Sequence, residues 1–153
     1  MINNGDIIIK NRKAHFNYAI EDTFEAGIVL TGSEVKSLRA GKCSIKDAFV
    51  MDYDGELFLD NSTINEYEFA SRQNHNPSRR RKLLLQKRVI QKIIGKIRTS
   101  GYSVIPISMY FNKAGRVKLE IGVGKGKTLV DKRETIKQRD WQRERAALLK
   151  REM

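Results

Sequence analysis

The feature that most constrains the fold is a pair of alternating apolar segments on either side of a four-residue turn. Residues 102–111 and 116–123 carry apolar side chains at every second position, and NKAG lies between them. The alternating positions are Ile105, Ile107, Met109 and Phe111 in the first segment, and Val117, Leu119, Ile121 and Val123 in the second. Because side chains two residues apart share one face of a strand, this pattern predicts an antiparallel hairpin with one face in a core.

Shorter segments upstream give further strand and helix signals. Strands are predicted over 15–20, 24–31, 48–52, 56–59 and 63–69, and helices over 34–40, after an N-cap at Ser33, and 85–97. The polar, basic stretch 72–82 has no apolar period and is predicted to be a loop. About six short strands with two to three helices predict a mostly β protein with flanking α-helices, built as a small closed or partly closed antiparallel barrel.

Positive charge is concentrated in two parts of the chain. The 153 residues have a net charge of +12, but residues 1–71 are acidic, with a net charge of −5. Residues 72–98 carry ten basic and no acidic side chains, and residues 125–153 have a net charge of +5. Such a block repels itself unless a polyanion neutralises it. With several aromatic side chains interspersed, the pattern predicts a protein that binds structured RNA through two surfaces.

The C-terminal segment differs from the rest of the chain. Residues 131–153 contain good helix formers but no continuous apolar stripe, since Ile136 and Trp141 do not share a helix face. Such a segment cannot bury enough apolar surface to pack on a barrel. We therefore predict a barrel domain over 1–130 and a basic tail over 131–153, disordered when free and helical when a polyanion neutralises it.

No arrangement of residues indicates catalysis. His15 and His75 lack the neighbours that a metal site or acid–base pair needs, and hydrogen-bonding or RNA-contacting roles are the preferred interpretation. The segment 122–127 lacks P-loop spacing and is interpreted as a flexible exit from the last strand. The lone Cys43 is interpreted as a small filler, and the carboxylates of 52–56 as a hairpin turn rather than a metal site. No catalytic residue, metal or cofactor is predicted.

The compartment follows from what the sequence lacks. No apolar run approaches the roughly 20 residues that span a bilayer. The first residues have neither a charged region nor a long apolar region of a signal peptide. With a single cysteine there is no disulfide framework, so we expect a cytoplasmic protein without a membrane partner.

Five blocks in order resemble one family, the SsrA-binding proteins, also called small protein B. The blocks are GIVLTGSEVKSLR at 27–39, RKLLL at 81–85, GRVKLEI at 115–121, GKGK at 124–127 and DKRETIKQRDWQR at 131–143. The resemblance implies an oligonucleotide-binding-fold barrel and a trans-translation factor. It implies binding to the tRNA-like domain of transfer-messenger RNA (tmRNA, SsrA RNA) and delivery of that RNA to stalled ribosomes, so that the nascent chain is tagged for degradation. It also implies a tail that enters the empty mRNA channel of the 70S ribosome near the 16S rRNA decoding centre, and a link to elongation factor Tu through alanyl-tmRNA.

The resemblance also assigns residues to these two RNA partners. For tmRNA it implies Glu25, Leu84, Gln86 and His15, and the basic side chains of the matching blocks, Arg81, Lys82, Lys125 and Lys127, are placed on the same surface. For the ribosome it implies the tail residues Asp131, Lys132, Arg133, Lys137, Arg139 and Trp141.

Two other functions fit a basic RNA-binding chain. An RNA-processing enzyme such as a nuclease would need a convergent acid–base or metal constellation, and the sequence offers none. A ribosomal or cold-shock-like protein would bind RNA without selectivity, and it would not prefer a tRNA-like RNA over an unrelated hairpin at equal salt.

Overall fold

The computed structural model describes residues 1–70, 74–127, 139 and 141–145. Within these residues nine strands and three helices follow in the order β1 (Ile7–Lys10), α1 (Ala14–Asn17), β2 (Tyr18–Ile28), α2 (Gly32–Arg39), β3 (Cys43–Ser44), β4 (Phe49–Tyr53), β5 (Glu56–Asp60), β6 (Thr63–Ile64), β7 (Arg81–Leu84), α3 (Lys87–Ile97), β8 (Tyr102–Phe111) and β9 (Val117–Gly126). Arg139 and residues 141–145 are helical and exposed.

Seven of the strands form one antiparallel sheet in the order β1-β8-β9-β2-β7-β5-β4, and β3 pairs with β6 beside it. Strand β4 stands at one end of this order and also packs against β8, near the other end. The sheet therefore curls back on itself. The core inside this curl contains apolar side chains from β2, β4, β5, β7, β8 and β9, together with Ile93 of α3. The predicted mostly β, antiparallel barrel with flanking helices is confirmed.

The terminal hairpin is confirmed, but the predicted core face of β8 is wrong for its first half, Ile105 and Ile107. The β8–β9 register shifts at Ile107, and Val104 and Pro106 therefore face the core opposite Val123 and Ile121. Ile105 instead lies opposite Gly122 on the other face. Because proline has no N–H to donate, Pro106 fits a position beyond the part of β8 that pairs with β1.

The last strand is longer than predicted. The segment interpreted as a flexible exit is part of β9, which pairs with β2 and β8 up to Gly126 and Lys125, respectively. Gly124 is required there, because a Cβ at this position would lie 2.5 Å from the carbonyl oxygen of Ala19.

The N-terminal third also departs from the prediction. The predicted strand over 15–20 is wrong at its start, since residues 14–17 form the short helix α1. Strand β2 then runs without interruption from Tyr18 to Ile28. Helix α2 begins earlier than expected and is capped by Thr31, whose side chain and Glu34 form a reciprocal capping box. The predicted strand over 63–69 is only two residues long.

A buried ion pair explains why the predicted loop over 72–82 ends in a strand. The Arg81 guanidinium and the Glu34 carboxylate are both fully buried, with Nε 2.6 Å from Oε2. Arg81 also donates to Ser62 Oγ and to the carbonyl oxygen of Pro77, both at 3.0 Å. Its placement on the RNA surface is therefore wrong, because a guanidinium without solvent exposure has no path to a phosphate.

The neighbouring His75 is buried in the same region. One ring nitrogen lies 2.9 Å from Ser33 Oγ and the other 2.8 Å from the carbonyl oxygen of Ile64. Both nitrogens thus have partners within the fold, and the hydrogen-bonding interpretation of His75 is confirmed.

Candidate RNA-binding surface

Three of the predicted tmRNA residues meet in one shallow groove. Strand β2 pairs with β7 so that Gly27 lies opposite Leu84, and Gln86 is the N-cap residue of α3 directly after β7. Glu25, Leu84 and Gln86 therefore line a single groove of about 550 Å³. We call this site the β2–β7 groove; its remaining lining residues are Phe24, Leu85 and Val89.

The groove combines apolar surface with one acidic group. Leu84 is 52% exposed, which is unusual for a leucine next to a core strand. Gly27 allows this close strand pairing, since a Cβ there would lie 3.3 Å from Leu84 Cβ. An exposed apolar side chain beside a carboxylate and an amide can contact a base or ribose and accept its hydrogen bonds.

Tyr110 is a residue of this site that the sequence did not reveal. Its hydroxyl donates a short hydrogen bond to Glu25 Oε2 across the outer face of the sheet. Burial, together with this bond, raises the pKa of Tyr110 above its usual range. Tyr110 thus holds the Glu25 carboxylate in one orientation. The sequence signal for Tyr110 was its place between Met109 and Phe111, because alternation along a strand puts it on the outward face.

Three other predicted tmRNA residues, His15, Lys125 and Lys127, form a separate group. Lys125 lies opposite Ala19, and the backbone N–H of Lys127 donates to the carbonyl oxygen of Asn17. These lysines and the exposed His15 of α1 therefore lie near the start of β2, and we call them the α1 cluster. Six residues of strand, about 20 Å, separate Ala19 from Glu25. The predicted surface is thus divided between two ends of β2.

One further lysine, Lys96, and the Tyr102 ring extend the α1 cluster. The Lys125 ammonium lies 5.1 Å from the centroid of the Tyr102 ring, and the Lys96 ammonium lies 4.5 Å from it. Lysines held over a tyrosine combine phosphate contact with an aromatic surface.

Lys82 lies outside both groups. It stands on β7 opposite Phe58 and forms an exposed ion pair with Glu56, with Nζ 3.0 Å from Oε1. Exposed pairs of this kind contribute about 0–1 kcal/mol, so a phosphate can replace Glu56 at little cost.

Four of the predicted tail residues, Asp131, Lys132, Arg133 and Lys137, lie outside the described residues. Of the others, the Arg139 guanidinium lies 5.2 Å from the centroid of the Phe16 ring in α1, beside the α1 cluster. Trp141 is 59% exposed, and the Arg145 guanidinium lies 5.4 Å from its ring.

Two further properties of the described residues concern metal-ligating side chains and the length of the helices. Among them, no three His, Cys, Asp or Glu side chains come close enough together to hold a metal ion. No helix in residues 1–70 and 74–127, or in the helical part of 139–145, is long and apolar enough to cross a membrane. Cys43 is half-buried, and burial raises the pKa of its thiol to about 11.

Comparison with known proteins places this geometry in one family. The family described as SmpB protein matches residues 8–151. The SsrA-binding protein of Afipia carboxidovorans is 56% identical over 144 residues, covering 94% of this chain and 92% of the relative. That of Rickettsia prowazekii is 52% identical over 150 residues, covering 98% of this chain and 99% of the relative.

A solved structure agrees with the sequence comparison. A chain in the structure described as "tmRNA-SmpB: a journey to the center of the bacterial ribosome" superposes with a TM-score of 0.67 at 42% identity. The superposition covers 84% of this chain and 93% of that chain. The family match spans nearly the whole sequence, and the two relatives agree with it over almost their full lengths. The chain therefore belongs to the SmpB protein family.

Proposed function

We propose that the chain is a non-enzymatic, cytoplasmic RNA-binding adaptor of trans-translation. In this role it binds the tRNA-like domain of tmRNA and delivers it to stalled ribosomes. The observation that carries the proposal is the meeting of Glu25, Leu84 and Gln86 in the β2–β7 groove. Membership of a family whose relatives are named SsrA-binding proteins supports the choice of RNA.

The two groups of candidate residues have different parts in this proposal. The β2–β7 groove reads bases and riboses, since it has apolar surface, a carboxylate and an amide. The α1 cluster supplies lysines for phosphates about 20 Å away, and such contacts position an RNA without reading its sequence. Together they fit a folded RNA that contacts both ends of β2.

In the same proposal, the C-terminal tail contacts the second RNA partner, the ribosome. In the proposal, residues 1–130 bind tmRNA, and residues 131–153 enter the empty mRNA channel of the 70S ribosome near the 16S rRNA decoding centre. The eight basic side chains of 132–151 support contact with rRNA phosphates there. Elongation factor Tu would be reached only through the alanylated tmRNA.

A truncation after Val130 separates these two parts. We expect the truncated protein to keep nearly all of its affinity for tmRNA and to lose tagging of stalled chains in a reconstituted translation system. Loss of tmRNA binding on truncation would show instead that the tail belongs to the tmRNA site.

A second test concerns the groove. Leu84→Ala should weaken binding of the tRNA-like domain, and Ile7→Ala is a matched control, because Ile7 is 48% exposed on the edge strand β1. Equal affinity of the two variants would remove the groove from the proposed interface.

A further inference from the structure

An open cleft lies where β4 packs against β8 without a ladder of hydrogen bonds. Strand β4 pairs only with β5 in the described sheet, and the side of β4 that faces β8 has no strand partner there. Helix α1 forms the third wall. The resulting cavity of about 450 Å³ is the seam cleft, lined by residues 46–51 and 102–105 and by residues of α1. This volume falls within the range of small-molecule sites, about 300–1,000 Å³.

The polar side chains of the cleft are available to a ligand. Within the described residues, the Asn17 amide, the Tyr18 hydroxyl and the Ser103 hydroxyl make no hydrogen bond to the protein. Asn11, by contrast, is committed, because its Nδ2 donates to the carbonyl oxygen of Pro106 at 3.0 Å. An amide and two hydroxyls in one cleft can donate and accept, as recognition of a base edge requires.

An aromatic ring lies at the rim. Phe49 is 40% exposed, although it begins a strand whose next residue, Val50, is buried in the core. Tyr18 and Tyr102 line the same cleft. Aromatic rings that expose a face beside unpaired polar groups are the usual means of stacking an unpaired base.

The charge of the cleft suits an anion. Lys13 and Lys46 both line the cleft and are exposed, and Asp47 is the one acidic residue among the lining residues. The cleft is also continuous with the α1 cluster, because the Tyr102 ring that lines it carries the Lys125 ammonium on its face. A polyanion bound to the α1 cluster therefore passes the mouth of the cleft.

We propose that the seam cleft binds one unpaired nucleotide of the RNA ligand. The base enters between Phe49 and Tyr18, the Asn17 amide reads its edge, and Lys13 and Lys46 contact the flanking phosphates. This inference rests on the proposed RNA-binding function and adds to it a third contact, separate from the β2–β7 groove.

A titration of the full-length, isotope-labelled protein with each of the four 5′-mononucleotides tests the cleft directly by NMR. We expect saturable shifts of the Asn17 side-chain amide and of the Phe49 and Tyr18 rings. Absence of these shifts in a protein that still binds the tRNA-like domain would overturn the cleft and leave the proposed function standing. Shifts at the cleft in a protein that shows no preference for the tRNA-like domain would support the cleft and overturn the proposed function.

The probe N-acetyl-tyrosinamide distinguishes a nucleotide from an aromatic side chain of a protein partner. Saturation of the cleft by this probe, but by none of the mononucleotides, would overturn the proposal. Preferential shifts with the mononucleotides would support it.

Substitutions give an independent test. Phe49→Leu keeps an apolar side chain on β4 and removes the ring, and it should weaken binding of the tRNA-like domain at least about fivefold. Lys46→Ala should weaken it less and lower the salt dependence by about one counterion. Lys113→Ala is the matched control, since Lys113 is exposed in the β8–β9 turn and its loss changes the net charge equally. If Lys113→Ala weakened binding as much as both cleft variants, the cleft would have no specific role.

Discussion

Arg81→Met should be the most destabilising single exchange of a basic residue in the described part of the barrel. Arg81 and Glu34 are both fully buried, and the substitution leaves the Glu34 carboxylate without its buried cation. It also removes the donors of Ser62 Oγ and of the Pro77 carbonyl oxygen, each 3.0 Å from the guanidinium. Breaking a buried ion pair from one side costs about 3–5 kcal/mol of unfolding free energy. Most single domains are stable by only about 5–15 kcal/mol.

Arg79→Met is the matched control for this substitution. Arg79 contacts the other carboxylate oxygen of Glu34 at 2.5 Å, but its side chain is 34% exposed. The Thr31 backbone amide still donates to that oxygen and Arg81 still neutralises the carboxylate, so we expect a loss of about 1 kcal/mol. The same carboxylate thus loses a cation in both variants, but only Arg81→Met removes a buried cation together with the donors to Ser62 and Pro77.

Urea denaturation followed by circular dichroism measures both losses. If Arg81→Met does not fold, Arg81→Lys keeps the charge without the planar fork and gives a measurable intermediate value. The pair Glu34→Gln with Arg81→Met should cost less than the sum of the single changes, because no buried charge remains unpaired. Equal losses for Arg79→Met and Arg81→Met would refute the reasoning.

The same ion pair predicts a pH dependence. Burial by itself raises the pKa of Glu34, but hydrogen bonds from two arginines and from the Thr31 backbone amide lower it below its ordinary value of 4.5. A carboxylate with a lowered folded pKa stabilises the fold above its unfolded pKa, and this stability is lost as the pH falls through the folded pKa. The stability advantage of the wild type over Glu34→Gln should therefore shrink as the pH is lowered from 5 to 3. An advantage independent of pH over this range would contradict the assignment.

Three further predictions follow from single contacts. Gly124→Ala places a Cβ against a backbone carbonyl of β2 and should lower the unfolding free energy in urea by about 1–3 kcal/mol, whereas Gly126→Ala, which has open space, should not. Because its pKa is about 11, the Cys43 thiol should react with a disulfide reagent at pH 8 far more slowly in the folded than in the urea-unfolded protein; equal rates would contradict its burial. Tyr110→Phe should weaken binding of the tRNA-like domain about fivefold, and adding Glu25→Gln should weaken it little more; full additivity would show that the two side chains act independently.

The sequence predicted correctly those helices and strands whose apolar side chains repeat regularly within one continuous segment of the chain. Helix α3 and strand β9 belong to this class, since their apolar side chains recur at 3.6 and 2 residues. The predicted core face of β8 was wrong because the bulge at Ile107 adds one residue to the strand, so the residues before it face the opposite way. An alternating sequence pattern does not reveal such a bulge. Strand β7 was missed because Arg81 is neutralised by Glu34, 47 residues earlier in the chain.

The candidate site, too, could be predicted only in part from the sequence. The resemblance identified Glu25, Leu84 and Gln86, but their meeting in one groove depends on the β2–β7 register, which pairs segments more than 50 residues apart. Alternation along β8 places Tyr110 on the outward face, but its contact with Glu25 depends on the pairing of a third strand, which no local pattern predicts.

The most direct test of the central claim is the affinity of the full chain for two RNAs at equal salt. One RNA is the tRNA-like domain of tmRNA, and the other is an unrelated hairpin of the same length and charge. Because phosphate contacts are common to both, a difference in affinity reports recognition beyond charge. We predict at least tenfold tighter binding of the tRNA-like domain, reduced by Leu84→Ala. Equal affinity for the two RNAs would contradict the account and leave a basic protein that binds RNA without selectivity.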